Sequence, residues 1–353
     1  MYTTTCNLRP FNSETLSLSS IRTLLVKRSN PFLSPKHCRQ IISSPNRQTI
    51  NIRSFAMTTR SAPMPKMLYG TAWKRSKTND LVYLALKSGF RGIDTAAQPR
   101  HYKEPLVGAA VRRAVAEGIV KRSDLFIQTK FTSIDGQDLK DLPYDPLGSV
   151  EEQVHASVAS SLQSFTCTDS EAPYIDSLVL HSPLGTLSDT IKAWKALETY
   201  VPHTIRQLGI SNTPPKLVEV LCSSDDITIP PACVQNRFYP HMQWEVELRS
   251  FLRTKGIIFQ AFWVLSGNPR LLASTPVQML ATKVGVHPPI ALYSLVLGLR
   301  GTAVLDGTTD EAHMKEDLEG TRAVEEYAES EPGRHIWLDC LEDFKASIGE
   351  RAH

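Results

Sequence analysis

The chain has 353 residues, 41% of them hydrophobic and 21% charged, and a formal net charge of +3. These values are ordinary for a globular protein and allow one large domain or two smaller ones. Because the net charge is small, it gives no reason to expect a nucleic-acid partner. No apolar run approaches the roughly 20 residues that a membrane-spanning helix needs, so we expect no membrane partner either.

The six cysteines are scattered along the chain, with no Cys-x-x-Cys pair. In a chain of this length, that distribution predicts reduced thiols of an intracellular protein rather than a disulfide framework. No cluster of cysteine and histidine has the spacing of zinc ligands, so we expect no metal site.

The first 66 residues differ in composition from the rest. Their only acid is Glu14, whereas Arg, Lys, Ser and Thr recur. This composition is typical of an organelle transit peptide, and Leu16–Leu24 could form a weakly amphipathic basic helix. We expect residues 1–64 to be a disordered basic extension outside the fold, with a mitochondrial address if it is translated and read. The alternatives are a tail without an address, or a cytoplasmic protein that starts near Met57.

From Pro65 onward, short apolar runs alternate with stretches of helical period. The predicted elements, in chain order, are strand Met67–Thr71, helix Asn79–Ser88, strand Phe90–Asp94, helix Lys103–Glu117, strand Asp124–Lys130, helix Val150–Phe165, strand Tyr174–His181, helix Leu187–Tyr200, strand Ile205–Ser211, helix Pro215–Cys222, strand Pro231–Gln235, helix Trp244–Thr254, strand Ile257–Phe262, helices Thr275–Val284 and Pro289–Gly298, strand Thr302–Leu305 and helix Glu311–Ala328.

Eight strands, each followed by a helix, imply a parallel sheet. Eight such units over residues 65–328 have the size of one closed (β/α)8 TIM barrel. An open doubly wound sheet would carry a Gly-rich turn after its first strand, and the turn here, from Gly70 to Lys74, has a single glycine. We expect residues 329–353 to be a linker and a terminal helix.

Polar side chains stand where the predicted strands end. Asp94, Lys130 and His181 end the second, third and fourth strands, and in a barrel these ends converge on one opening. A lysine and an aspartate in that opening should pair. A phenol beside the lysine, from Tyr102, would have its pKa lowered, and a neutral histidine would hydrogen-bond a carbonyl oxygen. Such a group suits carbonyl reduction if a hydride source lies beside it. The alternatives are a surface ion pair and a core histidine.

Four segments resemble the aldo-keto reductases in order and spacing: Gly89–Ala96, Leu125–Lys130, Tyr174–Pro183 and Leu208–Asn212. The resemblance implies a (β/α)8 barrel that binds a nicotinamide cofactor without a Rossmann domain and reduces aldehydes or ketones. It further implies NADP(H) as cofactor, with NAD(H) as an open alternative.

The same resemblance assigns roles to residues. The catalytic tetrad would be Asp94, Tyr102, Lys130 and His181. The cofactor would contact Thr71, Ser211, Asn212, Gln235, Phe262, Leu265, Gly307, Thr308, Thr309, His313 and Asp317, with Phe262 stacked on the nicotinamide. The substrate pocket would be formed by Trp73, Phe131 and Trp263.

Two departures from the family pattern stand out. Tyr102 lies eight residues after Asp94, where the family has five, so the loop must be longer and His101 is a neighbouring candidate for the acid. After the last strand, Asp306-Gly-Thr-Thr replaces Pro-Lys-Ser, with His313 where Arg is usual and Asp317 where Asn is usual. The choice of dinucleotide is therefore open, and the helix start at Asp310–Glu311 could accept phosphate through backbone N–H groups.

The sequence thus predicts a monomeric reductase of a small carbonyl substrate, with tyrosine as general acid. One alternative is a regulatory subunit that binds the nucleotide without catalysis. Another is a barrel enzyme of a different type, such as an isomerase, that uses no nicotinamide.

Overall fold

The computed structural model describes residues 63–167 and 172–350. The expectations for the basic extension up to residue 62 therefore lie outside the described residues. Eight parallel strands close in chain order, with β8 pairing back to β1. The predicted (β/α)8 barrel is confirmed, and the open doubly wound sheet is excluded. The strands are β1 Met67–Gly70, β2 Gly92–Asp94, β3 Phe126–Phe131, β4 Ile175–Leu180, β5 Ile205–Ser211, β6 Cys233–Arg237, β7 Ile258–Phe262 and β8 Thr302–Asp306.

Eleven α-helices accompany the strands in the described part of the chain. They are α1 Thr78–Ser88, α2 Glu104–Ala116, α3 Val150–Ser164, α4 Leu187–Glu198, α5 Pro215–Ser223, α6 Val246–Lys255, α7 Pro269–Leu272, α8 Thr275–Val284, α9 Pro288–Leu297, α10 Glu311–Glu329 and α11 Glu331–Ser347. Local signals set several of these bounds. Ser149 and Glu152 form a capping box at the start of α3.

Strands β2, β3 and β6 each begin two residues later than the sequence pattern predicts. Gly89, at φ 113°, ends α1 in the left-handed conformation, and the Phe90 N–H still bonds back to the Ala85 carbonyl. Strand β2 therefore begins only at Gly92. Strand β6 runs from Cys233 to Arg237 rather than from Pro231 to Gln235, which brings Arg237 into the sheet.

The barrel interior is polar near the mouth and apolar at the other end, where Leu68, Phe126 and Ala303 pack together, and the main hydrophobic core lies outside, against the helices. Ile127 and Phe131 on β3 are in the hydrophobic core, whereas Gln128 and Lys130 contact polar groups inside the barrel. This alternation is the two-residue period of a strand. Gln128 and Gln235 both donate to Gln260 Oε1, at 2.7 and 2.9 Å. Glutamines from three strands thus form a hydrogen-bonded layer below the barrel mouth.

The predicted linker after residue 328 is not present. Helix α10 continues to Glu329, and α11 begins at Glu331 with Ser330 as its N-cap. Cys340 and Phe344 of α11 are buried in the hydrophobic core. The terminal helix is longer than expected because it packs on the outer helices.

No single described helix has the length and apolar composition to cross a membrane; α8 and α9 meet that test only as a pair bent by 108°. Cys222, Cys233 and Cys340 are free thiols.

Candidate active site

A buried ion pair lies at the carboxyl ends of β2 and β3. The Lys130 ammonium is 2.6 Å from Asp94 Oδ2 and also donates to the Thr95 carbonyl at 2.9 Å. The other carboxylate oxygen, Asp94 Oδ1, accepts from Gln128 at 2.7 Å and from Gln235 at 3.0 Å. Each charge therefore has a partner and further hydrogen bonds, which a buried pair requires. Burial lowers the pKa of Lys130, and Asp94 partly opposes that shift.

The loop after β2 brings Tyr102 to this pair. The Ala97 N–H bonds to the Lys130 carbonyl at 3.1 Å, and the N–H groups of His101 and Tyr102 both bond to the Gln98 carbonyl. The extra residues of this longer loop form the turn. The Tyr102 ring lies with its centroid 5.2 Å from Lys130 Nζ and 5.9 Å from the His181 ring. The side chains of all four residues predicted for catalysis therefore meet at one opening.

The pKa of Tyr102 differs from the sequence expectation. Burial raises it, and the negative charge of Asp94 raises it further. Lys130 was expected to lower this pKa, but its charge is matched by Asp94 at 2.6 Å. The phenol is consequently protonated at neutral pH and available as a hydrogen-bond donor.

His181 is neutral and held by a threonine. Its Nδ1 lies 2.7 Å from the hydroxyl of Thr132, two residues beyond Lys130. Burial lowers the pKa of His181 well below its usual value, and the charge of Lys130 lowers it further. If the Thr132 hydroxyl donates to Nδ1, the Nε2–H of His181 is left to donate to an oxygen.

His101, the alternative to Tyr102, takes a different position. Its ring stacks on Trp73 at a centroid distance of 3.8 Å. Burial lowers the pKa of His101. Tyr102, rather than His101, has its ring against both Lys130 and His181.

Three of the residues predicted to contact the cofactor, Ser211, Asn212 and Gln235, lie together at the ends of β5 and β6. Ser211 donates to the Gln235 carbonyl at 2.6 Å, and Asn212 donates to the His181 carbonyl at 2.9 Å. Both donated bonds of the Gln235 amide go to Asp94 and Gln260. Its Oε1 accepts from no described side chain, so this oxygen can still receive a carboxamide N–H.

Phe262, at the end of β7, is partly exposed at the mouth and pairs in register with Arg237 on β6. The Arg237 guanidinium lies 5.3 Å from the Phe262 ring centroid and 4.9 Å from that of Trp263. Its Nη1 donates to Asn212 Oδ1 at 2.7 Å. A cation therefore borders the ring that was predicted to stack on nicotinamide.

Three non-glycine residues at strand ends have positive φ angles. Trp73 follows β1 at φ 65°, Asn212 follows β5 at 50° and Trp263 follows β7 at 63°. Each such residue costs on the order of 1 kcal/mol or more, and this strain is concentrated at functional sites. Trp73 and Trp263 remain 50% and 38% exposed, so large apolar surfaces frame the opening.

The prediction that Phe131 lines the substrate pocket is wrong. Phe131 is 1% exposed and packs on Tyr144 at a ring distance of 5.8 Å. Because Lys130 points into the barrel, its neighbour Phe131 points out to the helix layer. Thr132, the next residue, is the one that reaches the site.

Lys74 binds the loop after β8. Its ammonium donates to the Gly307 and Thr308 carbonyls at 2.9 and 3.3 Å and lies 4.6 Å from the Tyr69 ring centroid. Burial lowers the pKa of Lys74 to about 8, opposed by the charge of Asp306. A cation thus stands near two of the residues predicted to bind the cofactor.

The start of α10 does not offer a free phosphate site. The Asp310 carboxylate accepts from the N–H groups of Ala312 and His313, at 2.8 and 3.3 Å. This N-cap occupies the donors that were expected to bind phosphate. Further along the helix, burial and the neighbouring Asp306 raise the pKa of Asp317 to about 8.

Four other residues were predicted to contact the cofactor: Thr71, Leu265, Thr309 and His313. Thr71 is buried and donates to the Asp94 carbonyl at 3.0 Å. Leu265 packs against the core, His313 is partly buried, and Thr309 is exposed.

The chemistry of this donor set fits a nicotinamide dinucleotide. Phe262 supplies a ring face, Gln235 a carboxamide acceptor, and Lys74 a cation. Within residues 63–167 and 172–350, no group of His, Cys, Asp or Glu could hold a metal ion.

Besides Arg237, four side chains at the barrel mouth or in the layer below it were missed by the sequence reasoning. Lys74 follows a strand-end turn, and Gln128 and Gln260 stand at inward positions of β3 and β7. Thr132 lies just past the end of a strand. The signal was the two-residue period: Gln128 and Lys130 alternate with apolar Ile127 and Phe131, which marks the inner face.

Comparison with known proteins identifies the family of this chain. The Aldo/keto reductase family model matches residues 66–274. An uncharacterised oxidoreductase of Schizosaccharomyces pombe is 30% identical over 228 residues, covering 62% of this chain and 73% of that protein. An aldo-keto reductase family 4 member of Arabidopsis thaliana is 27% identical, covering 75% and 83%. The NAD(P)H-dependent D-xylose reductase of Scheffersomyces stipitis is 29% identical, covering 56% and 64%. The chain therefore belongs to the aldo-keto reductase family of nicotinamide-dependent oxidoreductases.

Proposed function

We propose that this protein reduces an aldehyde or ketone to an alcohol, with Tyr102 as the proton donor. The observation that carries the proposal is the position of the Tyr102 ring, 5.2 Å from Lys130 Nζ and 5.9 Å from the His181 ring. A protonated phenol, a neutral imidazole and a cation suit an oxygen that gains negative charge during reduction.

Each side chain at the opening has its own role in the reduction. His181 Nε2–H and the Tyr102 hydroxyl hold the carbonyl oxygen, and Tyr102 then releases its proton to that oxygen. The Lys130 ammonium is the cation beside the tyrosine ring, and Asp94 holds Lys130 in place at 2.6 Å. Trp73 and Trp263 exclude water from the opening. The reduced nicotinamide, when bound, supplies the hydride.

Gln235 Oε1, Asn212 and Phe262 would hold the nicotinamide end, and Lys74 would face the phosphates. We infer no strong preference for NADPH over NADH, because Asp310 caps α10 and Asp317 lies near its first turns. Neither residue favours an additional phosphate. Calorimetric titration with both dinucleotides measures this preference directly.

Replacing Tyr102 by Phe tests the proposal. Turnover of a panel of aldehydes should fall at least 100-fold, as expected for the loss of a general acid. The dinucleotide Kd, from quenching of tryptophan fluorescence, should change little. Replacing His101 by Asn is the matched control and should retain most of the turnover. Unchanged turnover in the Tyr102→Phe variant would overturn the assignment of the acid.

A further inference from the structure

Arg237 faces the barrel mouth rather than the helix layer. On β6 and β7, Gln235 pairs with Gln260, and Arg237 pairs with Phe262 two residues further on. Residues two apart on a strand share a face, and Gln235 and Gln260 meet inside the barrel at 2.9 Å. Arg237 and Phe262 are therefore the next layer of inward-facing residues, at the opening itself.

The charge of Arg237 is not matched by the protein. Its Nη1 donates to Asn212 Oδ1 at 2.7 Å, but no carboxylate of the described residues forms an ion pair with it. Two buried cations, Lys130 and Arg122, each pair with an aspartate, at 2.6 and 2.8 Å, whereas Lys74 donates to backbone carbonyls. Arg237 is half-buried, and burial lowers the pKa of its guanidinium.

Asn212 links the Arg237 guanidinium to His181. Asn212 accepts from Arg237 through Oδ1 and donates through Nδ2 to the His181 carbonyl at 2.9 Å. One amide side chain therefore connects Arg237 to the residue that would hold the carbonyl oxygen. An anionic group bound by Arg237 would lie at the same opening as His181, whose pKa the charge of Arg237 also lowers.

We propose that Arg237 binds the carboxylate of the substrate, so that the protein acts on short-chain aldehydes or ketones that carry a carboxylate. A guanidinium with a free edge, fixed at one end and backed by two aromatic rings, suits bidentate recognition of a carboxylate. The inference rests on the proposed function for the reaction itself. Hydride is added to the carbonyl carbon and a proton to its oxygen, and the product is a hydroxy acid with its carboxylate unchanged.

The test compares two four-carbon aldehydes, succinic semialdehyde and butanal, which differ in the terminal carboxylate. We expect the wild-type chain to show a higher kcat/KM for succinic semialdehyde. Replacing Arg237 by Gln should lower the ratio of the two kcat/KM values about 10- to 100-fold, the effect of losing a charge-assisted pair. Arg237→Lys should recover part of the ratio, because it keeps the charge and loses the fork. Arg322→Gln, on the exposed face of α10, should leave the ratio unchanged.

A binding measurement separates this inference from the proposed reaction. Succinate, which cannot be reduced, should bind to the dinucleotide-loaded protein by calorimetry, with a Kd weakened about 10-fold or more in Arg237→Gln. If succinate binds in this way and no aldehyde is turned over, the proposed reaction fails and the carboxylate site stands. If aldehydes are turned over but the ratio is the same in wild type, Arg237→Gln and Arg237→Lys, the carboxylate site is overturned. A weaker dinucleotide Kd with an unchanged ratio would overturn it too, by assigning Arg237 to the cofactor.

Discussion

Lys130 Nζ lies 2.6 Å from Asp94 Oδ2, and the two side chains are 1% and 3% exposed. Removing one member of a buried pair leaves the other charge without its partner. The ion pair therefore contributes to the stability of the fold as well as to catalysis. Single and double substitutions separate these two contributions.

Replacing Lys130 by Met should lower the free energy of unfolding by about 3–5 kcal/mol, because Asp94 keeps its charge in a buried site. The double variant with Asp94→Asn should recover much of that loss, while turnover stays low in both variants. Urea denaturation followed by fluorescence measures the first effect. Lys192→Met, at an exposed ion pair with Asp189, is the control and should unfold at the wild-type denaturant concentration. Equal stability of Lys130→Met and wild type would contradict the prediction.

Thr132 is a positioning residue for His181, because its hydroxyl lies 2.7 Å from Nδ1. Thr132→Val keeps the shape of the side chain and removes the hydroxyl, so the histidine can adopt the wrong tautomer. We expect kcat to fall about 10-fold, with little change in the dinucleotide Kd. Thr132→Ser should restore kcat. If Val and Ser variants lose the same activity, the hydroxyl has no role in holding the imidazole.

Asp94 and Lys130 could be predicted because strand-end positions of a barrel converge on one opening. The placement of Tyr102 beside Lys130 and His181 followed from the family resemblance rather than from the strand pattern, because it depends on how the loop from 95 to 103 folds over Gln98. Phe131 was misassigned because the two-residue alternation was not counted from Lys130. Arg237 was missed because β6 was expected to end at Gln235, and the sequence contains no signal for the shift.

The interactions of the charged residues around β8 could not be predicted from the sequence, for another reason. The sequence places Asp306 and Asp317 eleven positions apart, on a strand and on a helix. Their mutual effect on pKa exists only after β8 and α10 have packed. Likewise, Lys74 reaches the carbonyls of Gly307 and Thr308 only because β1 and β8 are neighbours in the closed barrel.

Replacing Asp317 by Asn should change how stability depends on pH. Burial, and then the charge of Asp306, raise the pKa of Asp317 from 3.8 to about 8. The folded state therefore holds a proton that the unfolded state releases, and the wild type loses stability as the pH rises from 4 to 8. Across this window, the free energy of unfolding should fall by on the order of 1–3 kcal/mol less in the Asn variant than in the wild type. Thermal unfolding at several pH values measures the slope. The control is Glu326→Gln, at an exposed position further along α10, which should keep the wild-type slope. An unchanged slope in Asp317→Asn would contradict the prediction.

Glu350 connects the end of α11 to the barrel. Its carboxylate lies 2.6 Å from Arg249 Nη2 and 3.1 Å from Arg253 Nη1, and the Arg249 side chain is 1% exposed. Glu350→Gln would leave Arg249 buried without its counter-charge, so we expect a loss of about 2–4 kcal/mol in the free energy of unfolding. The double variant with Arg249→Met should be more stable than Glu350→Gln alone, because the unpaired charge is removed with it.

Glu342→Gln provides the comparison for that substitution, since Glu342 pairs with Lys345 on the exposed side of the same helix. It changes the same charge on α11 and should leave the denaturation midpoint where it is. If both variants shift the midpoint equally, net charge explains the effect and the ion pair with Arg249 does not. If only Glu350→Gln shifts it, the terminal helix is held to α6 through a buried guanidinium, and its packing on the outer helices depends on that contact.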